Sequence, residues 1–245
     1  MTPGPPCRLT CPHCGGHKHI MSIASGNTFG ATIWSDSKRD YPMLPQPSAV
    51  QYCPHCGHYF FFEDAERTDV MFDREKRKIS WGKLFGKEQE EDVSSAEEYR
   101  TKWKPIEEDV HRNHFGELTF EQTDQAFDEL FMDDLSDERK NLLLFLWLFK
   151  YNDVFGGRQD GEDATVCTAS ISAKHTIILH KLIERNEGNT LFIAEMYREL
   201  GDFDKCIELA SSQTASDDNS AVVAMQFMNQ AEERNQKVFP LVFES

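Results

Sequence analysis

Positive charge is scarce in this 245-residue chain, where 26 lysines and arginines face 42 aspartates and glutamates for a formal net charge of −16. A field of that sign repels phosphate backbones and anionic membranes, so proteins or peptides are the expected partners. Long hydrophobic runs are missing too. The longest, Leu142 to Phe149, has eight residues, far short of the ~20 that a spanning helix needs, and no membrane segment is expected. The opening Met-Thr-Pro-Gly-Pro-Pro lacks the charged and then apolar pattern of a secretory leader. Cysteines number an odd seven, four of them in metal spacing, which points to a reducing cytoplasm. No nucleophile–base constellation, phosphate-binding loop or His-x-Glu pair occurs, so the sequence offers no catalytic machinery and a non-enzymatic protein is expected.

What the chain does have is a pair of Cys-Pro-His-Cys-Gly stretches at residues 11–15 and 53–57. Cys11, Cys14, Cys53 and Cys56 stand in the C-x-x-C … C-x-x-C arrangement that folds a short polypeptide around one tetrahedral zinc. Gly15 and Gly57 can take the left-handed conformation that turns backbone N–H groups toward the sulfurs. Zinc in such a site contributes on the order of 10 kcal/mol to folding a small ribbon, so one structural Zn2+ is the expected cofactor. A catalytic zinc would keep one position open for water and place a carboxylate nearby; four cysteines fill the sphere.

Two rival readings of the cysteines fare worse. Cys-Pro-His-Cys also occurs as the reactive dithiol of thioredoxin-like oxidants, which need a strand before the motif and an amphipathic helix after it. Here Pro3, Pro5 and Pro6 precede the first copy, and the strand-like Tyr59-Phe60-Phe61-Phe62 follows the second. A nucleic-acid-binding ribbon would use a basic stripe. Residues 1–70 hold five basic against six acidic residues, a net charge of −1, and Trp34, Tyr52, Tyr59 and Phe60 fit the ribbon's own core better than a base-stacking platform. His13, His17, His19, His55 and His58 crowd the same region and are read as neighbours of the site, while Cys7, Cys167 and Cys206 are read as ordinary residues.

The expected fold class is α+β: an antiparallel β zinc ribbon over residues 1–70, a charged linker over 71–116 and a mainly α-helical domain over 117–245. Within the ribbon, Lys18–Ala24 and Thr28–Trp34 suit a hairpin turned at Gly26-Asn27, with further short strands at Ala49–Tyr52 and after the second cysteine pair. In the linker, Ser95–Trp103 suits a helix that Pro105 stops. Helical periodicity then marks Thr119–Phe131 with Thr119 and Gln122 as a capping box, Ser136–Tyr151 as the central buried helix, Ser170–Arg185, Asn189–Leu200, Phe203–Ser211 and Ala221–Lys237. Gly156-Gly157 and Gln159–Asp163 form a loop.

Residues 189–210 resemble one tetratricopeptide repeat, through Ala194, Tyr197, Gly201, Phe203 and Ile207, with Cys206 where that family usually has alanine. Through its two ends, and over about half of its residues, the chain resembles a group of bacterial proteins that join a zinc-ribbon-like module to a tetratricopeptide-like helical end. That resemblance rests on the cysteine pairs, on Ser25-Gly26-Asn27-Thr28-Phe29-Gly30, Trp34-Ser35-Asp36 and Met43-Leu44-Pro45 between them, and on Ala194 to Gly201. It implies an architecture and no particular activity. A cytoplasmic interaction or adaptor protein is the function expected, with a thiol-redox or metal-responsive protein acting through the two Cys-Pro-His-Cys pairs, or a nucleic-acid-binding zinc ribbon, as the alternatives.

Overall fold

The computed structural model describes residues 1–70, 99–113, 115–132, 134–158, 167–214 and 218–243. Among these, nine short strands lie in the N-terminal 70 residues and seven α-helices follow, an α+β fold as expected. The chain divides into two compact units: Met1–Thr28 with Met43–Leu118, and Phe29–Pro42 with Thr119–Ser245. The stretch between the two cysteine pairs is therefore shared between the units, where the sequence reading gives all of it to the ribbon.

In the first unit, β1 (Thr2–Pro3) pairs with β4 (Ile23–Ser25), and β7 (Val50–Tyr52) pairs with β8 (Tyr59–Phe61). The central sheet has β2 (Cys7–Thr10) between β3 (His17–Ile20) and β9 (Glu66–Asp69), all antiparallel. Alternation along β2 and β3 sends Cys7, Leu9, Lys18 and Ile20 inward, where the core adds Cys11, Cys53, Phe60 and Ala65. The two strands flanking the second cysteine pair fall where the sequence puts them. The hairpin turned at Gly26-Asn27 does not form; the first cysteine turn reverses the chain so that β3 folds back on β2, with Leu9 opposite Lys18. Strand β9 occupies residues that read as polar chain, because all four of its residues are exposed and no apolar alternation announces it.

Pro105 does not stop a helix here. A π-helix over Tyr99–Trp103 runs without a break into α1 (Lys104–Asn113), so Pro105 lies within a continuous helical run, in the first turn of its α-helical part, where proline is best tolerated. Helix α1 is tied to β3 through Asp109, whose carboxylate accepts from the backbone N–H and Nδ1 of His19 at 2.7 and 2.9 Å. The rest of the expected linker, 71–98, lies outside the described residues.

In the second unit, β5 (Thr32–Ile33) and β6 (Arg39–Asp40) make a small hairpin, followed by α2 (Phe120–Leu130), α3 (Asp137–Val154), α4 (Ala169–Arg185), α5 (Thr190–Leu200), α6 (Phe203–Ser211) and α7 (Asp218–Glu232). The Thr119–Gln122 capping box is formed, and Ser136, Thr168, Asn189 and Asp202 cap the next four helices. Leu144, Trp147 and Leu148 of α3 sit fully buried against Ile178, Leu179, Leu182, Phe192 and Met196. Gly201 turns α5 into α6 at φ 83°, and Ala194 and Cys206 meet Ala224, Phe227 and Ala231 in a second core. Helix α7 ends five residues before the expected Lys237, the chain turning back at Arg234 in the left-handed region. The C-terminal Phe239 and Leu241 then pack on α5–α7. Among the described residues no helix is long and apolar enough to cross a membrane.

The segment Phe29–Pro42 is held in this unit by backbone and by charge. Ser35 N–H donates to Phe239 O at 2.9 Å and Leu241 N–H to Ile33 O at 2.8 Å. Asp36, with no exposure, accepts from Arg158 and, at 2.9 Å, from Asn152 Nδ2, while Lys38 Nζ donates to Asp153 at 2.7 Å. Nearby, the buried Arg198 is paired with Glu195 at 2.6 Å. Burial and the neighbouring Glu195 and Asp36 push the Glu199 carboxyl well above the usual range.

Candidate metal centre

Each Cys-Pro-His-Cys-Gly stretch folds into the same tight turn. In the first, Cys11 N–H donates to Gly16 O at 2.9 Å and Gly15 N–H to Cys11 O at 3.0 Å; in the second, Cys53 N–H donates to His58 O and Gly57 N–H to Cys53 O, both at 2.9 Å. Gly15 and Gly57 close the turns at φ 70° and 78°, the region glycine enters without a side-chain clash. Strand β2 delivers Cys11 and β7 delivers Cys53, so both first cysteines are buried while Cys14 is exposed and Cys56 half-buried.

The four sulfurs lie within 4.8 Å of one another. Cys11 Sγ is 3.8 Å from Cys56 Sγ, and Cys14 Sγ is 3.7 Å from Cys53 Sγ. A tetrahedron with metal–sulfur bonds of ~2.3 Å has edges of about 3.8 Å, so the donor set fits a thiophilic metal ion with no rearrangement of these two pairs. Gly16 N–H points at Cys14 Sγ at 3.4 Å. The thiols also share their protons unequally. Burial opposes ionisation of Cys53, yet the N–H groups of Cys56 and His55 and the thiols of Cys56 and Cys11 outweigh it and bring it down to about 7. Cys56 is favoured by His58 N–H, but burial and the other three sulfurs push it up to about 12.

The five histidines surround the sulfurs without joining the cluster. His55 Nε2 is 2.8 Å from His17 O, His17 Nδ1 is 3.3 Å from Thr10 Oγ1, His19 is engaged by Asp109, and the His13 and His58 rings lie 5.3 Å apart. Gly16 lies so close to the second turn that a Cβ there would meet His55 Cδ2 at 2.6 Å. Cys7 and Cys206 are buried in the cores of their units, which raises both thiols, Cys206 to about 12; Cys167 is exposed, its sulfur 3.9 Å from Tyr151 Oη. Tyr59 and Phe60 are buried, and Trp34 lies in the second unit under Arg158, 4.9 Å from its ring.

One neighbour of the site escaped the sequence reading. Lys18 is buried in a cleft beside Leu9, Cys11, Cys53 and Phe60. Burial pulls its ammonium down to about 8, against the opposing pull of Cys53, Asp109 and Cys11. Its register opposite Leu9, on the inward side of β3, was the available signal.

Fold and site together define an α+β protein with a four-cysteine cluster able to hold a metal ion. The chain matches no protein-family model, and neither a curated protein nor a solved structure is significantly similar to it.

Proposed function

We propose that the four cysteines hold a single structural zinc ion and that the chain is a cytoplasmic, non-enzymatic interaction protein. The observation that carries the metal reading is four sulfurs within 4.8 Å of one another, two of whose spacings match a tetrahedral edge; four such ligands would fill the sphere of a zinc ion and leave no position for substrate or water. The interaction reading draws support from the helical hairpin α5–α6 and from the acidic charge of −16, which favours protein over nucleic-acid partners. Because Phe239 and Leu241 pack on α5–α7, a partner engages surface that this tail leaves uncovered. The exposed Cys14 favours a second reading, in which oxidation releases the metal and signals the change.

Elemental analysis of the purified chain, joined to thiol titration in glutathione buffers, separates the two. One zinc per chain with four thiols protected supports the structural centre; exchangeable disulfides at physiological redox poise favour the redox reading, and bound iron overturns zinc. Affinity purification from native lysate with quantitative detection tests the partner. Measured small-molecule turnover by a chain that recovers no specific partner overturns the interaction reading.

A further inference from the structure

Lys18 occupies a place that strand chemistry reserves for an apolar side chain. On β3 the inward positions are Lys18 and Ile20, and Lys18 stands opposite Leu9, which is 1% exposed. Lys18 itself is only 5% exposed. Burying an ammonium costs several kcal/mol unless an opposite charge compensates, and a leucine or methionine would fill the slot at no such cost. Among the described residues no carboxylate lies within ion-pairing distance of Lys18. Asp109, which exerts a favourable field on it, is committed to His19 and Asn113. Of the groups lining the cleft with it, the sulfurs of Cys11 and Cys53 are the ones that become negative when a metal is bound, since metal ligation requires thiolates.

Four thiolates around a divalent ion carry a net charge of −2, and in a small domain that charge is itself partly buried. We infer that Lys18 is the counter-cation of the metal centre: its ammonium offsets half of the charge that the loaded site acquires and thereby sets the site's affinity for a divalent thiophilic ion. This rests on the reading of Cys11, Cys14, Cys53 and Cys56 as metal ligands. Lys18 is a positioning residue, acting on the metal through the sulfurs. The same logic gives Asp109 the opposite sign: its carboxylate adds negative charge beside a site that becomes more negative on loading, so it weakens the metal while anchoring α1.

The test is a zinc titration of the full chain at neutral pH in competition with a chromogenic chelator, with cobalt as a spectroscopic stand-in. Lys18→Met is expected to weaken zinc about 10- to 100-fold, the range for residues that support metal ligands, with the sulfur-to-cobalt charge-transfer band unmoved because the four ligands remain. Lys18→Arg should recover most of the loss, and Asp109→Asn should bind zinc about threefold more tightly. Parent-like affinity in Lys18→Met, a loss in Lys18→Arg as large as in Lys18→Met, or weaker binding by Asp109→Asn would each overturn the assignment. Should Lys18→Met fail to accumulate folded, Lys18→Gln takes its place in the same titration, and parent-like affinity in it overturns the assignment. A parent chain that takes up neither metal would instead refute the metal reading itself.

Discussion

Asp36→Ala is the sharpest perturbation of the fold, because it acts from between the cysteine pairs on a unit made mostly of helices. Asp36 is fully buried and takes hydrogen bonds from Arg158, from Asn152 Nδ2 and, at 3.1 Å, from the N–H of Lys38. Removing it strands the Arg158 guanidinium, whose side chain is 3% exposed, with Asp153 as its remaining carboxylate at 2.6 Å. Breaking a buried ion pair from one side costs about 3–5 kcal/mol. The surviving bond to Asp153 puts the expectation at the lower end, about 3 kcal/mol, a large share of the 5–15 kcal/mol by which domains are usually stable. Urea unfolding followed by far-ultraviolet circular dichroism reads the helices, and metal content measured on the same samples reads the cysteine cluster. The helical transition should move to lower urea while the folded protein keeps its metal. Glu208→Ala, which removes the exposed partner of Lys205 at 2.9 Å, is the control and should leave the midpoint almost unmoved, since solvent screens an exposed pair. An Asp36→Ala effect no larger than that control would refute the buried anchor.

His175 supplies a pH dependence with a definite sign. It stacks on Tyr151 of α3 at 3.8 Å and faces Glu199 of α5 at 3.5 Å, with Asp36, Glu195 and Arg198 acting on Glu199 in turn. Burial pulls its imidazole from 6.5 to about 4. As pH falls through that interval the unfolded chain takes up a proton that the folded one refuses, so stability declines, by about 3 kcal/mol at the acid end. The raised Glu199 carboxyl runs the other way, its contribution lost as pH rises through its folded value. His175→Gln should flatten the acid decline relative to the parent in urea unfolding; parallel curves would refute it. Gly16→Ala drives a Cβ into His55 and should cost about 1–3 kcal/mol as an overpacked contact, seen as a lower thermal midpoint and weaker zinc binding, with an unchanged midpoint as the contrary result.

The cysteine pairs were legible because metal ligation fixes both residue type and spacing. Helices α2 and α3 were legible because each opens on its own cap, Thr119 with Gln122 as a box and Ser136 accepting from the N–H of Arg139, whereas among the described residues α1 shows no cap and was not read. What stayed hidden depends on neighbours distant in sequence. After the expected strand Thr28–Trp34, Ser35-Asp36-Ser37 carries ordinary turn chemistry, and an aspartate in a turn usually faces water. Nothing in those residues announces that Arg158 and Asn152, more than a hundred positions away, will bury its carboxylate. Lys18 and β9 were missed for a related reason, because an inward lysine and a strand of exposed residues both break the alternation by which strands are recognised. In each case the sequence rule failed where charge is buried or edges are paired, and such placements persist only when a specific partner compensates. For Asp36 the partner is visible, a guanidinium enclosed with it. For Lys18, among the described residues, no carboxylate stands within ion-pairing distance and Asp109 acts on it only through its field; if the sulfurs beside it hold a metal as proposed, their charge supplies the rest, and the exception to the pattern and the cysteine cluster explain each other.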